Sequence, residues 1–424
     1  MDYHNVATPG EIAGNPDTYP HGGGDETPRF ASIAEMVKTL RPDMPARCFF
    51  PHALREAAET FLRGFPGIPH YAVKCNPAPH VLKGLFAAGI RHFDVASIGE
   101  IRSLRMLCPG AHLAFMHPIK SREAIAEAYF VHGVRDFAVD TFEEMHKILE
   151  ATQAATDLSI HVRIAVPKGK IAQQDLSRKF GAEPDAAAQI LRDADKVAHK
   201  VGVTFHIGSQ CMDPADYTRA IECAGRVVAA SGVSVDVFNV GGGFPVAYPG
   251  LEPPPLEDYF AAIQGAIKAL KLPKGCQIWG EPGRALVAAC ETAVLRVELR
   301  KADALYLNDG AYGTLFDGRF FGLRYPAQLY RPGRKCGKAL QPFRFYGPTC
   351  DGEDYVNGPF MLPADAREGD WIAVGQQGSY GKTLKTRFNG FYDEILAEID
   401  PGAANVIKLR PRKSKSHVKE VTAQ

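Results

Sequence analysis

The sequence predicts an α/β protein, a (β/α)8 (TIM) barrel with a C-terminal all-β domain. Short β-type runs alternate with amphipathic helix-type stretches from about residue 69 to residue 283. The eight β-then-α units in that span suit a closed parallel barrel better than an open doubly wound sheet. After residue 285 the texture changes to β-type runs with turn residues and no long helices between them.

In chain order, residues 1–28, including NPDTYPHGGGDETP, are rich in Gly, Pro and polar residues and read as a flexible leader. The barrel is expected over 45–285 and the β domain over 286–404, with a strand at about 46–50 (ARCFFP) joining the second domain. The predicted barrel strands are HYAVK (70–74), HFDVA (92–96), LAFMH (113–117), DFAVD (136–140), IHVRIAV (160–166), VTFHIG (203–208), DVFNVGG (236–242) and QIWGEPG (277–283). Between them, SREAIAEAYFVHG and PADYTRAIECAGRVVAA repeat apolar residues at three- and four-residue steps, the stripe that packs a helix onto a sheet. Beyond the barrel, ETAVLRVELRKADALYLNDGAYG and GDWIAVGQQGSYG read as strands. A basic tail at 405–424 gathers Lys408, Arg410, Arg412, Lys413, Lys415 and Lys419.

At 424 residues the chain exceeds the usual single core, in keeping with two domains. Its 46% hydrophobic and 23% charged residues describe an ordinary globular protein, and a net charge of +1 gives no reason to expect a nucleic-acid partner. Nine cysteines lack CxxC or Cys/His ligand spacing, so no metal site is expected. No secretory n-region or apolar stretch of about 20 residues occurs, which reads as a cytoplasmic, non-membrane protein.

Chemistry in such a barrel is built at the C-terminal ends of the strands. Those ends present Lys74, Asp94 with Ser97 and Glu100 beyond it, His117, Arg163, His206 with Ser209, Gly241-Gly242-Gly243, and Glu281 followed by Gly283 and Arg284. Each has an ordinary explanation alone: a solvated lysine, a structural histidine, a tight glycine turn. Together they supply an amine for an aldehyde, an anion cradle, a carboxylate and an imidazole. Those are the parts that pyridoxal 5'-phosphate (PLP) requires.

The motifs YAVKCN, FDVASIGEI, LSRKFG, FHIGSQ, NVGGGFP, EPGR, GPTCDGED and GSYG…FNGF occur in this order over about residues 45–400. Together they resemble the fold-type III PLP-dependent decarboxylases, the group of ornithine, lysine and diaminopimelate decarboxylases. The resemblance implies an alanine-racemase-like barrel with a C-terminal β domain, in a head-to-tail homodimer with active sites at the interface. It makes Lys74 the lysine that carries PLP, His206 the ring that stacks on it and Glu281 the partner of the pyridine nitrogen. Ser209, Gly243, Arg284 and Tyr380 would bind phosphate, with Gly241, Gly242 and Gly283 in the same cradle, and Asp94 and Arg163 would support the ring end. Cys350, reaching over from the partner subunit, would protonate the α-carbon after CO2 leaves. A thiol suits that task because its ordinary pKa of about 8.5 is easily tuned. Asp351 would help bind the distal amine of the substrate.

The substrate end departs from the pattern. Phe320-Phe321-Gly322 stands where ornithine-type enzymes place an acidic residue, leaving Asp317 or Glu353 to take over that role. Arg319, Arg324 and Arg331 would instead suit a distal carboxylate. Asn239 stands where an acidic residue is common, and GSYGKTLKT where GAYT is usual. The expected activity is decarboxylation of a basic L-amino acid, ornithine or lysine, to a diamine in polyamine biosynthesis. Alternatives are the same chemistry on diaminopimelate, a carboxylated polyamine or a siderophore precursor, or a non-catalytic regulator of the same fold. A racemase would not need GPTCDGED.

Overall fold

The computed structural model describes residues 27–166 and 179–399. The basic tail, all but the last two residues of the expected leader, and the start of LSRKFG lie outside the described residues.

Strands β1 (Arg29–Phe30) and β2 (Ala46–Phe49) precede the barrel. The barrel itself is β3 (Ile68–Ala72), β4 (His92–Val95), β5 (His112–Phe115), β6 (Asp136–Val139), β7 (Ser159–Arg163), β8 (Lys200–Thr204), β9 (Val237–Asn239) and β10 (Gln277–Gly280). These eight pair in parallel in chain order, and β10 closes back on β3. Every barrel strand lies where the sequence placed it, but each stops short of the predicted end. Past those ends the chain turns away from its neighbours: Lys74 sits in a short 3-10 turn, Val73–Cys75, and His206 and Glu281 lie in connecting loops. The residues that matter chemically therefore leave the ladder just as they reach the barrel mouth.

Local sequence explains the crossovers. Ser97, Ser121 and Thr141 each cap a helix by accepting the N–H three residues on, at 3.2 Å in each case. Such caps are worth about 1 kcal/mol each. Glu100 accepts the Ala96 N–H, one residue before the cap, at 2.7 Å, so Ser97 and Glu100 together fix the start of this helix. Prolines 51, 79 and 184 stand at the first helical positions of their helices, where a missing N–H costs nothing. One large apolar core joins the strands to the surrounding helices, and a small separate one, containing Trp279, fills part of the barrel interior.

The second domain is a mixed sheet built from β1, β2, β11 (Glu291–Lys301), β12 (Ala304–Leu307), β13 (Ala327–Tyr330), β14 (Leu340–Tyr346), β15 (Tyr355–Pro363), β16 (Trp371–Val374) and β17 (Ile395–Ile399). The strand expected at 46–50 is β2, which pairs with β11 and β17. The two-residue β1 carries too short a pattern to be read from sequence; it pairs with β17. A short helix, Phe316–Phe320, interrupts the β texture and carries Asp317 and Phe320.

Candidate active site

Lys74 points into the barrel mouth. Its Nζ lies 3.1 Å from Asp94 Oδ2, and 44% of the lysine side chain stays exposed while Asp94 keeps only 3%. Burial would lower the ammonium's pKa, but Asp94, Glu281 and Tyr380 outweigh it and hold the group well above its ordinary value. Glu281 is pushed up to about 7, first by burial and then by the Asp94 charge, against the pull of Lys74 and Arg163. Two buried carboxylates thus face two cations. Arg163 also lies over the Phe180 ring at 5.2 Å.

Asn239 gives the departure from an acidic residue a physical meaning. Its Nδ2 donates to Glu281 Oε1 at 2.7 Å, while its Oδ1 accepts the Gly241 N–H at 2.9 Å. The amide serves both neighbours at once, whereas an ionised carboxylate has no proton to donate to Glu281.

His206 Nδ1 accepts the Gly208 N–H at 2.9 Å. Burial, together with the nearby Arg163 and Lys74 charges, holds the ring well below its ordinary pKa. A neutral, flat imidazole results, suited to stacking. Gly241 and Gly243 have φ of +68° and +109°, and side chains there would collide with the Phe205 and Gly208 carbonyls. At Gly242 a Cβ would lie 2.7 Å from the Glu281 carbonyl and 3.1 Å from His206 Nε2. The turn can approach a ligand only as glycine.

Arg284 is buried opposite that turn. It donates to the Tyr248 hydroxyl at 2.8 Å, Ser379 Oγ at 3.2 Å and Asp317 Oδ2 at 2.8 Å. Its Nε is buried with no hydrogen-bond partner. Tyr380, at φ +59°, brings its ring within 5.1 Å of the guanidinium. One cavity is lined by Lys74, His206, Ser209, Gly243, Glu281, Gly283, Arg284 and Tyr380, all named from the sequence. Phe244 lines it too and was missed, although it stands inside NVGGGFP. Tyr248 and Ser379 were also missed; only Ser379, next to Tyr380, had a signal nearby.

The predicted substrate end is arranged differently. Asp317 is buried and engaged with Arg284, so it is not open toward a distal ammonium. Glu353 pairs with Arg319, and Arg331 pairs with Asp365 at 2.7 Å and Asp370 at 2.6 Å. Phe320 is 47% exposed, whereas Phe321 packs against the second-domain core. Cys350 is exposed, with its N–H on Asn389 Oδ1 at 3.0 Å, and Asp351 accepts the Tyr312 hydroxyl at 2.8 Å. Neither Cys350 nor Asp351 lines the mouth of its own chain.

The mouth fits PLP on its own terms. A buried guanidinium with an unpartnered N–H, facing a turn that excludes Cβ atoms, suits a phosphate. Glu281 suits a protonated ring nitrogen, and Lys74 an aldehyde.

Residues 52–288 match the family profile described as pyridoxal-dependent decarboxylase, pyridoxal-binding domain. The chain belongs to the pyridoxal-dependent decarboxylases. Within them it is similar to the lysine/ornithine decarboxylase of Selenomonas ruminantium, 34% identical over 371 residues that cover 84% of this chain and 90% of that one. A crystal structure of lysine decarboxylase from that organism matches with TM-score 0.75 and 32% identity, covering 88% of this chain and 97% of the other. The arginine decarboxylase of Paramecium bursaria Chlorella virus matches with TM-score 0.77 and 26% identity, covering 86% and 98%. Antizyme inhibitor 2 of Xenopus laevis is 30% identical over 371 residues, covering 81% and 78%.

Proposed function

We propose that this chain is a PLP-dependent carboxy-lyase that converts ornithine or lysine to the corresponding diamine and CO2. The observation that carries the reading is the convergence of Lys74, Glu281, His206, Arg284 and the glycine turn on one cavity. When bound, PLP supplies a ring that accepts the electron pair left as the bond between the α-carbon and the carboxylate breaks. Lys74 would hold the cofactor through its amine. Glu281 would keep a proton on the pyridine nitrogen, Arg284 and the glycine turn would hold the phosphate, and the neutral His206 imidazole would pack against the ring.

Protonation of the α-carbon falls to Cys350 of a second copy. Phe320, Phe388 and Phe391 are 47%, 43% and 44% exposed, and Cys350 is bonded to the same turn that holds Phe388. An exposed aromatic patch beside an exposed thiol supports a homodimer whose interface completes the site. The nine cysteines are free of disulfides, in keeping with a reducing cytoplasm. Among the described residues no helix is long and apolar enough to cross a membrane.

The test is CO2 release from ornithine, lysine, arginine, diaminopimelate and carboxylated polyamines. Turnover of ornithine or lysine at the highest kcat/KM supports the reading. Preference for a substrate with a distal carboxylate replaces it, and a protein that binds PLP without turning over any of the panel is a regulator. Mixing inactive Lys74→Ala and Cys350→Ala chains should restore activity, because one of the two sites in a mixed dimer is intact; no recovery contradicts the shared site.

A further inference from the structure

The turn that carries Lys74 is three residues long and makes few hydrogen bonds of its own, so its orientation depends on what grips its edges. The grip comes largely from the second domain. The Cys75 carbonyl accepts the Tyr380 N–H at 2.9 Å and the Thr383 hydroxyl at 3.2 Å. Asn76, only 2% exposed, donates its Nδ2 to the Gly378 carbonyl at 2.8 Å and to Glu291 Oε2 at 3.2 Å.

Glu291, at the start of β11, is fully buried. Arg47 Nη1 meets it at 3.0 Å and His80 Nε2 at 2.7 Å. Burial alone would raise its pKa, but Arg47 and His80 hold the carboxylate below its usual range. Arg47, 2% exposed, reaches on to Glu394 at 3.0 Å and to the carbonyls of Gln377 and Gly381 at 3.4 and 3.3 Å. Glu394 also meets Lys382 at 3.0 Å, and Lys385, near it at 3.8 Å, reaches Asp309 in the NDGAYG segment at 3.3 Å. None of these charged groups lines the cavity.

We propose that Glu291, fixed by Arg47 and His80, is a positioning residue that sets the backbone of Lys74 through Asn76. A buried charge pair is an expensive way to gain stability, since desolvation offsets much of its attraction. What it provides is a carboxylate of fixed orientation against the residue two places after the lysine. The proposal rests on the reading of Lys74 as the cofactor-carrying lysine.

The experiment compares Glu291→Gln, the milder Asn76→Ser, and Arg331→Ala, whose pairs with Asp365 and Asp370 lie in the second domain away from Lys74. Each folded variant is loaded with PLP, and kcat, KM and the pH midpoint of the Lys74-bound chromophore are measured beside the melting temperature. For Glu291→Gln and Asn76→Ser we expect a kcat loss of about tenfold to a hundredfold, as for a misplacement near 1 Å, with KM changed less than about threefold. The chromophore midpoint should move in both. Arg331→Ala should lower the melting temperature and leave kcat and the midpoint unchanged. Wild-type kcat and midpoint in Asn76→Ser, or equal shifts in Arg331→Ala, would overturn the proposal. Failure of the wild-type protein to bind PLP through Lys74 would instead overturn the reading of the site.

Discussion

The two ends of the barrel solve the problem of buried polar groups in opposite ways. At the C-terminal mouth, Lys74 and Arg163 face Asp94 and Glu281, so charge is kept and balanced. At the N-terminal end, His70, His92 and His112 stand 4.9 to 5.8 Å apart, with Trp279 against His70 at 4.2 Å and against His161 at 5.0 Å. The one carboxylate in their midst, Asp136, takes His112 Nε2 and His161 Nε2 at 2.9 Å each. Because a carboxylate accepts, both nitrogens carry protons, which leaves the Nδ1 atoms as lone pairs when the rings are neutral. Those two atoms and His70 Nε2 are buried without partners. Burying a lone pair costs far less than burying a charge. The upper end is thus built to hold charge against a ligand, the lower to keep His70, His92 and His112 neutral beside an open cavity of about 640 Å³ that Arg135, Asp157, Lys200 and Asp236 also line. Among the described residues no group of His, Cys, Asp or Glu is arranged to hold a metal ion, the histidine cluster included.

The contrast is broken most severely at Lys74. Lys74→Ala should abolish covalent PLP attachment and cut kcat/KM by at least about 10³-fold, while the melting temperature of the cofactor-free protein stays near wild type. Retained activity would mean the charge at the upper end serves the fold alone. Glu281→Gln keeps the shape and the Asn239 contact but removes the negative charge; kcat should fall about 10²-fold, the size of a lost electrostatic partner. Gly243→Ala places a side chain against the Gly208 carbonyl at φ +109°, and PLP affinity measured by equilibrium titration should weaken about tenfold to a hundredfold.

The lower end responds to acid. Burial holds His70 well below its ordinary pKa, lowers His112, and takes His92 down to about 4. Unfolding lets these rings bind protons they refuse in the fold, so their contribution to stability is full above about pH 6.5 and is lost as pH falls toward the folded values. Each ring contributes a slope of at most about 1.4 kcal/mol per pH unit in that window. Melting temperature should therefore drop between pH 7 and 5, and His92→Gln should flatten the drop while leaving kcat at neutral pH unchanged. A wild-type slope in that variant would remove His92 from the account.

Much of this contrast was legible in the sequence at the upper end and little at the lower. Lys74, His206, Glu281 and Arg284 could be found because strand ends of a barrel converge and because their motifs recur in a known order. The pairing of Asp317 with Arg284 is not legible, because the two lie on different elements and no local pattern tells a carboxylate whether it will meet a guanidinium or open space. Asn76 and Glu291 are 215 positions apart and meet only through the packing of the two domains. The histidine cluster did leave a trace, since HYAVK and HFDVA begin with histidine and His112 precedes LAFMH. Register explains it: His70 pairs with His92 and His92 with His112 across adjacent strands.

Above all, we propose that the upper mouth holds PLP on Lys74. Its most direct test is borohydride reduction of the PLP-loaded protein, followed by proteolysis and mass spectrometry. A single pyridoxyl group is expected on the peptide containing Lys74, whereas a pyridoxyl group on another lysine, or on none, would overturn the assignment.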